Sequence, residues 1–308
     1  MPAGKPILVT GSHRSGSTWT GRMIAASSKV VYLQEPFNSH YFDPGICSYY
    51  FDEPFQYITE ENSVQFYDCL KRTAGLKYNL LAGLQHARSG PQYAQVFNNM
   101  LAFKIGRLQG KRPLFKDPFA VFSSPWLAEQ FGMDVVMVIR HPAAFVSSVK
   151  RMQWESPVWI MYQREDLMRD YFEPLREEMK AFLSAPKSIV EQAAYFWKLI
   201  YFSVYQNQQK YPDWYFVRHE DLSLAPEKEF RSIFERLSLP FDAAVEKTVL
   251  EYTNLNNPDE APEQQTVYRL NSAENIRNWQ HRLTAEEVAQ IRHFTTGVWE
   301  YFYTGADW

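Results

Sequence analysis

The sequence predicts an α/β fold in three layers, in which a central, mostly parallel sheet is flanked by helices. Short apolar segments of strand length alternate with helical segments along most of the 308 residues, an order typical of parallel sheets covered by helices. In the clearest strand, at 134–140, the five central residues form a continuous apolar run, which indicates burial on both faces. There is no repeat and no low-complexity linker, so residues 1–308 are expected to form a single domain.

A phosphate-binding loop is predicted between the first strand and the first helix. Gly11 and Gly16 punctuate a Ser-rich loop, and a helix is expected to begin near Thr18. Loop N–H groups and a helix N-terminus both favour an anion. The spacing matches the P-loop of nucleotide triphosphatases, except that Ser17 stands where that pattern requires Lys. We therefore predict a P-loop NTPase-like fold with Arg14 as the cation of the loop, and an ordinary Ser/Gly turn is the alternative.

A second anion-binding element is predicted where the strand at 134–140 ends. Arg140 is followed by a proline that suits the first turn of a helix, and Ser148 lies about two turns into that helix. A nucleotide triphosphatase often has an aspartate at such a strand end, where it organises magnesium. A guanidinium at this position predicts a site for an additional anion without a metal.

Two carboxylates are predicted to follow strands. Glu35 comes after the second predicted strand, at 30–33, and Asp117 comes after the third. Ligands of open α/β sheets lie beyond the carboxyl ends of the strands, so either carboxylate is a candidate for proton transfer. Lys116 is a candidate contact to a phosphate, and His40, in an aromatic and irregular segment, is a third candidate acid or base. A solvated glutamate and an ordinary Asp-Pro turn are the structural alternatives.

Helix caps and prolines place the remaining elements. Ser188 and Glu191 form a capping-box pattern that predicts a helix at 188–211. Thr284 is expected to cap a last helical region. The other predicted elements are helices at 124–131, 226–237 and 243–252, a strand at 214–217 and an exposed loop at 254–265.

Composition and charge argue against several classes of partner. The net charge of −3 gives no reason to expect nucleic-acid binding. The most apolar stretch, at 193–205, is shorter than the roughly 20 residues that a membrane-spanning helix needs. Cys47 and Cys69 fit neither a disulfide framework nor a zinc site, and no signal peptide is visible, so a cytoplasmic location is expected. The sequence does not indicate an oligomeric state.

Three motifs together resemble the sulfotransferases that use 3′-phosphoadenosine 5′-phosphosulfate (PAPS). The segment 14–19 is similar to the 5′-phosphosulfate loop of that family, and the segment 140–148 is similar to its 3′-phosphate motif. The segment 217–222 is similar to the strand end that lies near the adenine. With a further likeness at 272–284, the resemblance covers nearly the whole chain.

The resemblance implies a sulfotransferase with PAPS as co-substrate, adenosine 3′,5′-bisphosphate (PAP) as product and no required metal. It implies that Arg14 stabilises the bridging oxygen as sulfate leaves and that Arg140 and Ser148 bind the 3′-phosphate. Trp19 occupies a position at which family members often have a side chain that stacks on adenine. The alternative is that Trp19 is an ordinary tryptophan of the core. The implied donor-binding residues are Arg14, Ser15, Gly16, Ser17, Thr18, Trp19, Arg140, Ser148, Arg269 and Ser272.

The expected general base is a carboxylate. Many members of the family use a histidine in a Lys-Thr-His-type segment, but the corresponding segment of this chain contains Asp117 and no histidine. Other members use a glutamate shortly after the first helix, which is the place of Glu35. We therefore take Glu35 as the base, followed by Asp117 and then His40.

The acceptor is expected to carry a hydroxyl group, and sugars, lipids and small alcohols all remain open. A nucleotide-dependent kinase is the first alternative function, although a kinase should need the loop lysine and magnesium carboxylates. A non-catalytic nucleotide-binding protein is the second. The presence of Arg14, Glu35, Arg140 and Ser148 argues against loss of the chemistry.

Overall fold

The computed structural model describes residues 4–254, 256–258 and 269–308. Most of the loop predicted at 254–265 therefore lies outside the described residues. Within them, the strands are β1 (Ile7–Gly11), β2 (Val30–Gln34), β3 (Arg112–Lys116), β4 (Asp134–Ile139) and β5 (Tyr215–Arg218).

The described helices connect these strands and form the C-terminal part of the chain. They are α1 (Ser17–Ile24), α2 (Val64–Ala74), α3 (Leu80–His86), α4 (Gly90–Leu108), α5 (Ser124–Phe131), α6 (Pro142–Met152), α7 (Val158–Gln163), α8 (Glu165–Leu167), α9 (Arg176–Leu183), α10 (Ile189–Lys210), α11 (His219–Leu224), α12 (Pro226–Arg236), α13 (Ala243–Tyr252), α14 (Ser272–Asn275), α15 (Trp279–Arg282) and α16 (Ala285–Thr295). None of the helices in this described part is long and apolar enough to cross a membrane.

The strands form one parallel sheet in the order β2-β3-β1-β4-β5, flanked by helices. In its register, Ile7 of β1 lies opposite Leu114 of β3, and Val30 of β2 lies opposite Arg112. The apolar residues of β1 are fully buried, as expected for a strand that is covered on both faces. The predicted α/β fold with a central parallel sheet is confirmed.

The chain divides into two compact units. In the first unit, α1 packs closely on β3, since a Cβ atom on Gly21 would overlap the side chain of Lys116. In the second unit, α10 supplies much of the core, including the fully buried Phe196 and Trp197. The first unit comprises Met1–Thr10, Ser17–Val136 and Phe230–Val249, and the second comprises Gly11–Gly16, Met137–Glu229 and Leu250–Trp308.

Local sequence signals place the ends of the helices well. Ser188 and Glu191 form the predicted capping box at the start of α10, and Thr284 with Glu287 forms a second one at the start of α16. Pro142 occupies the first turn of α6, as its missing N–H group allows. These contacts join residues at most three positions apart, so the sequence is sufficient to predict them.

Cys47 and Cys69 form a disulfide, so the expectation that they do not pair is wrong. Their Cα atoms are 5.0 Å apart although 22 residues separate them in the sequence, a distance that a disulfide spans readily. No periodic pattern in the segment before α2 places Cys47 beside that helix, so its partner could not be predicted. The cysteines therefore no longer support a cytoplasmic location, because disulfides persist mainly in oxidising compartments.

Opening this disulfide should lower the free energy of unfolding by about 3 kcal/mol, because the bond restricts the unfolded chain. The measurement is urea unfolding with and without a dithiol reductant. The double variant Cys47→Ser/Cys69→Ser is the control. Its free energy of unfolding should equal that of the reduced wild type and should not change when the reductant is added. Equal responses of the wild type and the double variant to the reductant would contradict a stabilising disulfide.

Candidate active site

The loop after β1 depends on two glycines in conformations that other residues rarely adopt. Gly11 has a φ angle of 143° and Gly16 a φ angle of 96°. A Cβ atom on Gly11 would overlap the carbonyl oxygen of Val138, and one on Gly16 would overlap the imidazole ring of His219. The close approach of this loop to β4 and to the start of α11 explains why the sequence has glycines at this spacing.

Arg14 lies in this loop and extends its side chain to α6. Its Nε atom donates a hydrogen bond of 2.8 Å to Oγ of Ser148. Because this hydroxyl accepts from a cation, its own hydrogen can be donated to an anion. The backbone of Arg14 is in the left-handed region, with a φ angle of 62°. The structure therefore brings together two residues that the sequence assigned to separate motifs.

The guanidinium of Arg140 contacts the loop at the backbone of Arg14. Its Nη1 atom donates to the carbonyl oxygen of Arg14 at 2.8 Å. Within the described residues, the buried Nε of Arg140 and the buried hydroxyl of Ser15 have no hydrogen-bond partner. Burial lowers the pKa of Arg140 from its ordinary value, and the Glu220 carboxylate opposes this shift. A cation with a buried, unsatisfied donor favours an anionic ligand, so we call Arg14, Ser15, Arg140 and Ser148 the anion cluster.

The helix α10 holds the anion cluster through the backbone of Arg140. The hydroxyl of Tyr201 accepts from the Arg140 N–H at 3.1 Å and lies 3.0 Å from Oγ of Ser12. The indole of Trp197 donates to the carbonyl oxygen of Arg140 at 2.8 Å. The apolar spacing of α10 predicted only a core helix, so this supporting role of Tyr201 and Trp197 had no signal in the sequence.

Aromatic side chains surround His141, the residue after Arg140. The imidazole of His141 stacks on Trp279 with ring centroids 5.4 Å apart, and it makes edge contacts with Tyr303 and Trp308. Neither nitrogen of this ring has a hydrogen-bond partner in the described part of the chain. Burial lowers the pKa of His141 to about 3. The ring is therefore neutral at neutral pH.

The variant His141→Phe should weaken the acid sensitivity of the fold. In the unfolded chain this histidine takes up a proton below about pH 6.5, whereas the folded chain resists protonation until about pH 3. Its contribution to stability is thus complete above pH 6.5 and is lost as the pH falls towards 3. Relative to the wild type, the variant should gain about 1.4 kcal/mol per pH unit below pH 6.5. Urea unfolding at several pH values measures this difference, and parallel pH profiles would contradict it.

Glu35, the predicted general base, lies in the first unit directly after β2. Its backbone has a φ angle of 45°, and the residue is 8% exposed. Its carboxylate forms an ion pair with Lys116 and accepts from Nε2 of Gln34 at 3.2 Å and from Nδ2 of Asn38 at 2.6 Å. Strained backbone is often found at functional sites, and here several contacts hold the carboxylate in one orientation.

Lys116 and Asp117 are fully buried at the end of β3. Burial lowers the pKa of Lys116, and the contact with Glu35 opposes the shift. Asp117 accepts the N–H groups of Phe37 at 2.6 Å and Phe119 at 3.0 Å. Burial and the neighbouring Glu35 carboxylate raise the pKa of Asp117. The contacts of Asp117 are those of the structural Asp-Pro turn that was its alternative interpretation.

Four other predicted residues lie in the first unit. Ser17 and Thr18 begin α1, and Ser17 is buried. Trp19 follows them and packs edge-on against Phe230, with ring centroids 5.3 Å apart. His40 is exposed in a 3₁₀ turn at 39–41.

Two further predicted residues, Arg269 and Ser272, lie in the second unit and contact other protein groups. Arg269 is exposed and pairs with Glu251 at 2.9 Å. The buried hydroxyl of Ser272 donates to the carbonyl oxygen of Ser223 at 2.9 Å. In this arrangement neither side chain contacts the anion cluster through a described hydrogen bond, and their role in binding the donor stays a prediction.

Comparison with known proteins identifies the family of this chain. A model of the sulfotransferase family matches residues 6–243. No curated protein matches the chain significantly. Similar solved structures include a sulfotransferase domain from the curacin biosynthetic pathway, with a TM-score of 0.46 and 14% identity over 95% of this chain and 98% of that one.

Two further structures are similar to this chain. The sulfotransferase domain from the olefin synthase of Synechococcus PCC 7002 has a TM-score of 0.46 and 15% identity, over 96% of each chain. The sulfotransferase STF9 from Mycobacterium avium has a TM-score of 0.47 and 12% identity, over 98% of this chain and 78% of that one. Because the family model covers most of the sequence, this chain belongs to the sulfotransferase family.

Proposed function

We propose that the protein transfers a sulfuryl group from PAPS to a hydroxyl group of an acceptor. The observation that carries this proposal is the anion cluster. In it, Arg14 contacts Ser148 through its side chain and Arg140 through its backbone, and the Nε of Arg140 and the hydroxyl of Ser15 have no partner among the described residues. Charge-assisted donors in this number suit a phosphate group. A magnesium-bound triphosphate would instead call for the lysine that Ser17 replaces.

Each member of the anion cluster has a proposed role. Arg140 and Ser148 bind the 3′-phosphate of the donor, and the N–H groups from Ser15 onward bind its 5′-phosphate. Arg14 stabilises the negative charge that develops on the bridging oxygen as the sulfuryl group leaves. The hydrogen bond from Arg14 to Ser148 supports both roles, because it holds the two side chains beside each other.

The carboxylate of Glu35 is the proposed general base. As the acceptor oxygen bonds to sulfur, the bond from sulfur to the bridging oxygen breaks, PAP departs, and Glu35 takes the acceptor proton. In the described residues, Oε2 of Glu35 receives one hydrogen bond, from Asn38. A carboxylate oxygen has two lone-pair sites, so Oε2 retains one for the acceptor hydroxyl.

The proposal leaves the acceptor as a sugar, a lipid or a small alcohol, and it requires no metal. A cytoplasmic location also stays a prediction, and it conflicts with the disulfide between Cys47 and Cys69. Alkylation of thiols in freshly lysed cells would show whether this bond is closed where the protein acts.

The test is calorimetric binding of PAP without metal, beside ATP with magnesium, followed by a sulfate-transfer assay with PAPS. Binding of PAP alone, independent of metal, would support the donor class. Transfer to one member of a panel of sugars, lipids and alcohols would support the reaction. Preference for ATP with magnesium would instead favour a kinase, and PAP binding without any transfer would favour a non-catalytic protein.

A further inference from the structure

The helix α4 has apolar side chains on two opposite faces. One face is buried in the first unit, with Val96 and Phe103 among its core residues. On this face a Cβ atom on Gly106 would overlap the side chain of Val31. The other face exposes five large apolar side chains at helical spacing, which are Tyr93 (42% exposed), Phe97 (50%), Leu101 (51%), Ile105 (40%) and Leu108 (61%).

These five residues form what we call the α4 stripe. They recur every three or four positions, so they lie in one row along the helix. The helix has 19 residues and is therefore about 28 Å long. Single exposed apolar residues are ordinary on a protein surface, but a contiguous row of this length marks an interaction surface.

The sequence around the α4 stripe carries charge of one sign. Between Asp68 and Asp117 the sequence contains no Asp or Glu, whereas the net charge of the whole chain is −3. Lys104 and Arg107 are exposed within α4, Arg88 is exposed just before it, and Lys111 is half-buried just after it. The stripe is thus bordered by cations with no carboxylate in the same stretch of sequence.

We propose that the α4 stripe docks on the surface of an anionic lipid bilayer. An amphipathic helix with aromatic and aliphatic residues on one side and Lys or Arg beside them lies in the plane of the bilayer interface. The apolar side chains enter the boundary between headgroups and acyl chains. The long side chains of Lys104 and Arg107 can reach outward to the anionic headgroups.

The charge pattern favours an anionic bilayer over a second copy of the chain as the partner of the α4 stripe. In a two-fold symmetric dimer the same patch faces itself, so the cations around one α4 stripe would face those of the other. Such like charges oppose association. An anionic bilayer supplies the opposite charge and needs no matching register of side chains.

The experiment is co-sedimentation of the full chain with vesicles, using phosphatidylcholine alone and phosphatidylcholine mixed with phosphatidylglycerol. We expect binding to the mixed vesicles, weakened by added salt. The double variant Phe97→Ser/Leu101→Ser should lower the partition coefficient at least about tenfold, because both side chains leave the interface. The double variant Lys104→Glu/Arg107→Glu should also lower it at least about tenfold.

The matched controls are Leu250→Ser and Lys180→Glu, which change an exposed leucine and an exposed lysine on other helices. Both controls should bind the vesicles as the wild type does, and all variants should keep the wild-type melting temperature. Absence of binding to the mixed vesicles would overturn the proposal, as would equal loss in the controls. A dimer in light scattering that the Phe97→Ser/Leu101→Ser variant disrupts, without vesicle binding, would assign the stripe to a second copy instead.

Discussion

The variant Glu35→Gln should lower kcat by about 10²–10⁴-fold while leaving the affinity for PAP unchanged. Glutamine has the shape of glutamate but cannot take a proton from the acceptor, and general-base catalysis contributes a factor of this size. Steady-state sulfate transfer with the best acceptor of the panel measures kcat, and calorimetry measures PAP binding. Calorimetry reports on the proposed donor-binding groups, whereas kcat reports also on the proposed base.

The control for this prediction is Asp117→Asn. An asparagine at this position would point an NH₂ group towards one of the two backbone N–H groups that Asp117 now accepts. We therefore expect Asp117→Asn to lower the melting temperature more than kcat. If Glu35→Gln keeps full turnover while a stably folded Asp117→Asn loses turnover, Asp117 would be the general base instead. Equal loss of PAP binding and turnover in Glu35→Gln would also contradict a base role.

The ion pair of Glu35 with Lys116 needs its own comparison, because Glu35→Gln also removes the partner of a buried ammonium group. The variant Lys116→Met breaks the same pair but keeps the carboxylate. If the ion pair only stabilises the fold, the two variants should show similar decreases in the free energy of unfolding. Only Glu35→Gln should then lose most of its turnover. This comparison separates the chemistry of the carboxylate from its structural contact.

The second large effect is expected for Arg140→Ala, which should weaken PAP binding by about 30- to 5,000-fold. This range corresponds to about 2–5 kcal/mol, the usual cost of removing one partner of a buried, hydrogen-bonded charge pair. Arg140 is suited to such a pair because its buried Nε has no hydrogen-bond partner within the described residues. Calorimetric titration with PAP in the absence of metal measures the change.

Arg176→Ala is the matched control for Arg140→Ala. Arg176 begins α9 and pairs with Glu173 at 2.8 Å, so its removal should leave PAP affinity within about twofold, as for other partly exposed ion pairs. Arg140→Lys keeps the charge but loses the fork of donors, and it should bind PAP with intermediate affinity. Unchanged binding in Arg140→Ala, with the fold intact, would remove Arg140 from the donor site.

Much of the fold follows from short-range patterns in the sequence. The apolar run of β4, the glycines around Arg14 and the capping box of Ser188 all act over a few residues, where backbone geometry fixes which groups meet. The step from Arg140 to Ser148 is also local, because it runs from the end of β4 directly into α6. These patterns were sufficient to predict the parallel sheet, and the resemblance of the three motifs indicated the sulfotransferase family.

The contacts that assemble the candidate site were decided only by the tertiary structure. The hydrogen bond from Arg14 to Ser148 joins residues 134 positions apart, and the ion pair of Lys116 with Glu35 joins residues 81 positions apart. The number of residues between two such positions does not predict the distance between their side chains, because that distance depends on the path of the intervening chain. The disulfide of Cys47 with Cys69 was missed for the same reason. The sequence by itself therefore determined which groups are present at the strand ends and in the loop, and long-range packing determined which of them touch.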